Sequence, residues 1–177
     1  MRPLSISIAF LLLFFSQGSS QQRLQILGSK LLAADSVFIV SHEATAGISI
    51  VDEKTRRPLP PPKLIVNSQL NAAIIHEKCR LTDTALQRFA TIITRPFQDT
   101  VIERVMCFIP HHAVVLYSKG KPSYIDMCFG CLGIATSKDI TITADDFDFR
   151  KWNELVAFFR QKGMIYELDF AEKKEED

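Results

Sequence analysis

The sequence predicts a small α+β fold, an antiparallel sheet built on a central hairpin and packed by two or three helices. Three observations point there. Val37 to Val40, Ala113 to Tyr117 and Tyr124 to Phe129 are short runs with the β-branched and aromatic content of strands. Two other stretches, from Thr82 and from Asp148, repeat apolar residues at helical spacing. The two kinds of segment follow one another without the regular strand–helix alternation of a parallel sheet, which favours helices laid against an antiparallel one.

The chain opens on an export signal. Arg2 supplies a positive start, Leu4 to Phe15 is apolar except for Ser5 and Ser7, and Ser16-Gln17-Gly18-Ser19-Ser20 supplies small and polar residues. This is the pattern of a secretory signal with cleavage after Ser20. The apolar run is too short for a span, which needs about 17 to 25 residues. The expected organisation is a signal over residues 1–20, one α+β domain over 21–170 and a charged, disordered tail over 171–177. With Arg2 gone, the 21 basic side chains fall to 20 and match the 20 acidic ones. That balance carries no basic footprint, so nucleic acid is not expected as a partner. The abundance of Leu, Ile, Val and Phe argues against general disorder. The predicted location is the periplasm or the outside of the cell, with no membrane integration after signal removal and an envelope protein as the conceivable partner.

In order, Gln22 to Ala34 places Leu24, Leu27, Leu31 and Leu32 at near-helical spacing, with Gly28 as a weak point. Val37–Val40 and Ile48–Val51 read as strands around a polar stretch. Thr55 to Pro62 holds four prolines, three of them consecutive, and reads as an extended surface connection. Lys63–Val66 is a further strand. Thr82 is positioned to cap a helix carrying Leu86, Phe89, Ala90 and Ile93, ended by Pro96. Val101 to Phe108 has strand content. Ser118-Lys119-Gly120-Lys121-Pro122 then joins the two hairpin strands. Ile140–Thr143 suggests an edge strand. The last helix covers Asp148 to Lys162, with Phe149, Trp152, Val156 and Phe159 along one face and Gly163 as its cap. Leu168 and Phe170 would dock a final extended piece.

The chemistry concentrates between Cys107-Phe108-Ile109-Pro110-His111-His112 and Cys128-Phe129-Gly130-Cys131-Leu132-Gly133. A two-residue turn at Lys119-Gly120 sets His111 opposite Cys128, whereas a three-residue turn centred on Gly120 sets His112 there. Either brings an imidazole near a thiol, since directly opposed residues have Cβ atoms about 4.5–5.5 Å apart. A bend at Pro110 would add Cys107, and Gly130 and Gly133 would ease the reversal of the chain.

Three readings stand side by side. The leading one is a non-catalytic domain stapled by disulfides among Cys79, Cys107, Cys128 and Cys131, as the oxidising compartment favours. Cys79–Cys107 with Cys128–Cys131 is one connectivity, and a bridge from Cys107 into the hairpin is another. The second is a zinc-type metal site made by Cys107, His112, Cys128 and Cys131, with His111 as the alternative nitrogen ligand. The third is thiol–disulfide redox work by Cys128 and Cys131, against which stands the lack of a helical pattern after Cys131. No catalytic residue is assignable. Asp126 either orients a histidine or faces water, and His42 and His76 read as ordinary isolated histidines. Zinc is the one cofactor the residues suggest.

The hairpin resembles uncharacterised secreted and lipoprotein families of Bacteroidetes-type bacteria. These carry a Cys-x-x-Pro-x-His stretch, a Gly-Lys turn and a strand ending in Cys-Phe-x-Cys. The matching positions are Cys107, Pro110, His112, Gly120, Lys121, Cys128, Phe129 and Cys131. The resemblance implies an envelope location and His112 as the functional imidazole, and implies no activity, substrate or cofactor. This chain departs from it in having no lipid-acceptor cysteine near its start and in carrying His111 before the matching histidine.

Overall fold

The computed structural model describes residues 20–47, 50–51, 54–97 and 107–168. Residues 1–19 of the expected signal, most of the Val101–Phe108 strand, Phe170 and the charged tail lie outside them, whereas Ser20, the expected last residue of the signal, is the first described residue of a helix. The architecture is α+β. Five antiparallel strands form one sheet in the order β6-β1-β7-β8-β9: β1 (Ser36–His42), β6 (Ile75–Arg80), β7 (His112–Ser118), β8 (Lys121–Cys128) and β9 (Gly133–Thr136). Two short ribbons accompany it, β2 (Ile50–Val51) with β3 (Pro58–Leu59) and β4 (Ile65–Val66) with β5 (Gln69–Leu70). The helices are α1, described over residues 20–32, α2 (Asp83–Thr94) and α3 (Phe149–Gln161).

Alternation along the strands divides the core. Val37 and Ile39 of β1, Val114 and Leu116 of β7, and Ile125 and Met127 of β8 face the helices. There they meet Leu24, Leu27 and Leu31 of α1, Phe89 and Ile93 of α2, and Trp152, Leu155, Phe158 and Phe159 of α3. Val40, Ala113 and Val115 point to the other face, which Leu64 and the β4–β5 ribbon cover. Gly28 is a contact notch: a Cβ there would sit 2.3 Å from Thr94 Cγ2, so the glycine lets α1 cross closely over α2.

Each expected segment can be compared directly. The hairpin is as the two-residue turn predicts. Lys119 and Gly120 both have positive φ, 53° and 72°, and Ser118 pairs with Lys121. Thr82 occupies the N-cap of α2 but makes no side-chain cap bond, whereas Asp148 caps α3 by accepting from the Lys151 N–H at 2.6 Å. Phe149, expected on the core face of α3, is exposed, because the face the helix buries runs through Lys151, Trp152, Leu155, Phe158 and Phe159 instead. Ile140–Thr143 is not a strand. Ile140 and Ile142 are buried in irregular backbone, and the edge is β9 instead. Strand β6 escapes the sequence pattern altogether, since Ile-His-Glu-Lys-Cys-Arg has almost no apolar alternation. As an edge strand it packs mainly through its backbone pairing to β1 and through Lys78, which lies 4.4 Å over the Phe38 ring.

Candidate functional site

The site forms where the end of the hairpin meets the segment before β7 and the segment after α3. Strand β7 begins at His112, whose partner on β8 is Met127. The shorter turn therefore holds, and the register with His112 opposite Cys128 is excluded. Alternation sends His112 to the helix face with Val114 and sends Ala113 to the opposite face.

Cys128 and Cys131 are joined as a disulfide. Cys79 and Cys107 are free thiols, the first half-buried and the second exposed, so of the expected bridges Cys128–Cys131 forms while neither Cys79–Cys107 nor a bridge from Cys107 into the hairpin does. The reversal between the paired sulfurs does not use its glycines as expected. The left-handed residue is Leu132, with φ 51°, while Gly133 leaves space for the Phe108 ring, 2.9 Å from where a Cβ would sit. With both sulfurs of the pair bonded to each other, the metal set of Cys107, His112, Cys128 and Cys131, or with His111 in place of His112, lacks two of its thiolates. Among the described residues, no group of three or more His, Cys, Asp or Glu side chains is placed to hold a metal.

Nevertheless a cleft of about 280 Å³ gathers the predicted residues: Cys107, His111, His112, Cys128 and Cys131 all line it. Ile109 and Phe129 form its apolar walls, and Glu167 reaches it from the chain after α3. His112 is the chemically unusual member. It is 1% exposed, and its Nε2 has no hydrogen-bond partner. Burial lowers its pKa to about 3, the charges of His42 and His111 push the same way, and a backbone hydrogen bond to Tyr166 opposes them. Nε2 is thus a buried polar atom left without a partner. A buried polar atom in that state costs about 1–3 kcal/mol. Phe129 and Phe159 hold the ring, with centroids 5.0 and 5.7 Å away.

The segment after α3 is clasped to the sheet end by residues outside the expected site. Gly163, with φ 80°, ends α3. The Glu77 carboxylate then accepts the Ile165 N–H at 2.8 Å and the Tyr166 N–H at 3.2 Å, and also the Ser41 hydroxyl at 2.6 Å. The Tyr166 ring stacks on His76 at 3.7 Å and meets His111 edge-on at 5.7 Å. Leu168 is fully buried, so it docks, but in a turn and not in the extended piece expected. His76 is thereby a packing partner, bonded also to Glu43 at 2.8 Å, and not an isolated residue.

On the opposite face, His42 and Asp126 correct a second expectation. His42 is fully buried. Its Nδ1 donates to the Glu43 carbonyl at 2.7 Å, and its Nε2 lies 3.1 Å from Asp126 Oδ1. Thr45 donates to Asp126 Oδ2 at 2.5 Å. Asp126 thus orients a histidine, but the histidine is His42, not one of the adjacent pair. The link spans β7, where the residue facing Asp126 is Ala113, whose single methyl leaves the diagonal open. His42, Glu77 and Tyr166 were invisible as site residues because their partners are 84, 36 and 89 positions away.

Among the described residues no helix is long and apolar enough to cross a membrane. Comparison with protein-family models, with curated proteins and with solved structures finds no match to this chain.

Proposed function

We propose that this is an exported thiol–disulfide exchange protein whose working site is the cleft at the end of the β7–β8 hairpin. One observation carries the reading: the Cys128–Cys131 bridge and the free, exposed Cys107 thiol line the same cleft. A purely structural role gives this bridge little to do. Its cysteines are three positions apart, and the turn they span is already closed by the pairing of Cys128 with Gly133. A bridge around so short a loop contributes about 2 kcal/mol by loop entropy. Export, supported by the apolar run after Arg2, would place the pair where disulfides exchange with partner proteins.

The chemistry balances with a dithiol as the partner. One partner thiolate attacks a sulfur of the bridge, the Cys128–Cys131 bond breaks, and a mixed disulfide forms while the other cysteine leaves as a thiolate. The partner's second thiolate then displaces the first cysteine. The partner ends as a disulfide, and two electrons and two protons reside on Cys128 and Cys131.

The test is a redox titration of the full chain in glutathione and in dithiol buffers, with free thiols trapped and mapped. Exchange activity predicts a potential above about −270 mV and a trapped mixed disulfide in Cys131→Ser or Cys128→Ser. A potential below about −300 mV with no mixed disulfide in either variant would make the bridge a staple, the reading in which the protein is non-catalytic.

A further inference from the structure

We propose that the run from Pro58 to Lys63 is a docking strap for a partner domain that reads polyproline II segments through an aromatic-lined groove with an acidic rim. This goes beyond the exchange reading and uses none of the residues that line its cleft. The first ground is conformation. In Pro58-Leu59-Pro60-Pro61-Pro62-Lys63, each proline ring fixes its own φ at about −65°. Arg57, Leu59, Pro60 and Pro61 each precede a proline, which pushes them out of the helical region into extended backbone. Pro58–Leu59 accordingly forms strand β3, and the three prolines after it belong to no helix or strand. A partner therefore meets a segment already held in the shape it binds, and little ordering entropy opposes the contact.

The second ground is presentation. Pro58, Leu59, Pro60, Pro61 and Lys63 are all exposed, and Leu59 is 45% exposed although it is a large apolar side chain. Pro60, Pro61 and Pro62 also line a cavity of about 480 Å³ together with Tyr124 and Asp126 of β8. The run is thus seated over the hairpin while its outer side stays open to solvent. The third ground is the pattern of charge and spacing. Arg56 and Arg57 precede the run and Lys63 ends it, all three exposed. Among the described residues none of them forms an ion pair with a carboxylate. Pro58 and Pro61 stand three positions apart, one turn of a polyproline II helix or about 9 Å, and Lys63 follows two positions later. Aromatic grooves take prolines at that spacing between their rings, and carboxylates at the rim complement a flanking cation.

The experiment titrates the full chain with a purified SH3 domain selected for Pro-x-x-Pro-x-Lys/Arg ligands, followed by calorimetry and by the amide NMR signals of Leu59 and Lys63. Saturable binding with Kd below about 1 mM is expected, with those two signals moving. The double variant Pro58→Ala, Pro61→Ala should bind at least about tenfold more weakly. Lys63→Glu should weaken binding severalfold and remove most of its salt dependence. If the proline variant fails to fold, Lys63→Glu and the shifted signals of the natural chain carry the test. No binding at about 1 mM, or shifts confined to residues away from the run, would overturn the proposal. So would undiminished binding by the proline variant, which would reduce the contact to charge attraction. The strap and the exchange cleft share no residue, so failure of either test leaves the other reading standing.

Discussion

Two adjacent histidines, identical in chemistry, have different fates at the start of β7, although both line the cleft. His111 remains partly buried and donates to the His42 carbonyl at 3.1 Å, while His112 enters the helix-side core with its Nε2 unpaired. The ring of His112 makes acid stability a direct readout. Its folded pKa is depressed to about 3, whereas the unfolded ring titrates at its ordinary value of 6.5. The charged groups around it are His42, His111 and Glu167. Between the two values the unfolded chain binds a proton that the folded ring refuses. The contribution is therefore fully present above pH 6.5 and is lost as pH falls, at up to about 1.4 kcal/mol per unit. Denaturant melts between pH 6.5 and 5, above the carboxylate range, should show this slope. His112→Phe should flatten it, and an unchanged slope in that variant would mean that another group is responsible.

At the scale of elements, the segment after α3 depends on one carboxylate of an edge strand. Glu77 gathers the N–H groups of Ile165 and Tyr166 and the hydroxyl of Ser41, so β6 ties the end of the chain to β1. Tyr166 in turn supplies the backbone partner of His112. Charge-assisted bonds of this kind are each worth about 1.5–3 kcal/mol. Glu77→Ala should speed hydrogen exchange at the Ile165 and Tyr166 amides by at least about tenfold, with the exchange of β7 and β8 amides changing far less. Glu77→Gln, which keeps an acceptor, should retain most of the protection. Uniform acceleration across the sheet would mean that Glu77 supports the whole fold instead of this segment. None of this was legible beforehand. Strand β6 lacks a strand's apolar alternation, and a carboxylate that bonds main-chain amides 88 positions away leaves no local mark.

For the molecule as a whole, the helix-side core carries the fold, drawing on all three helices and on β1, β7 and β8. Against that core the single bridge is a small contributor, about 2 kcal/mol for a loop closed by cysteines three apart. The reduced chain should therefore stay folded, with far-ultraviolet dichroism unchanged and a thermal midpoint lower by several degrees. Collapse on reduction would assign the bridge a structural role that its position does not suggest. The cleft belongs to this scale too, because the hairpin, the segment before β7 and the segment after α3 must all be in place to enclose it.

What the sequence determined by itself was whatever rests on neighbours in the chain. Apolar spacing marked the three helices, the strand content of Ala113–Tyr117 and Tyr124–Phe129 marked the hairpin, and Lys119-Gly120 gave its turn. With that turn came the grouping of Cys107, His111, His112, Cys128 and Cys131 around one place. Only the tertiary structure decided what these residues do to one another. It bonded Cys128 to Cys131 and left Cys79 and Cys107 free, buried His112 without a partner for Nε2, and matched Asp126 with His42 across β7. The reason is physical: periodicity records which side of an element is buried, whereas bonds and lone pairs depend on which distant element is packed against it. A sequence carries the first in every few residues and the second nowhere locally.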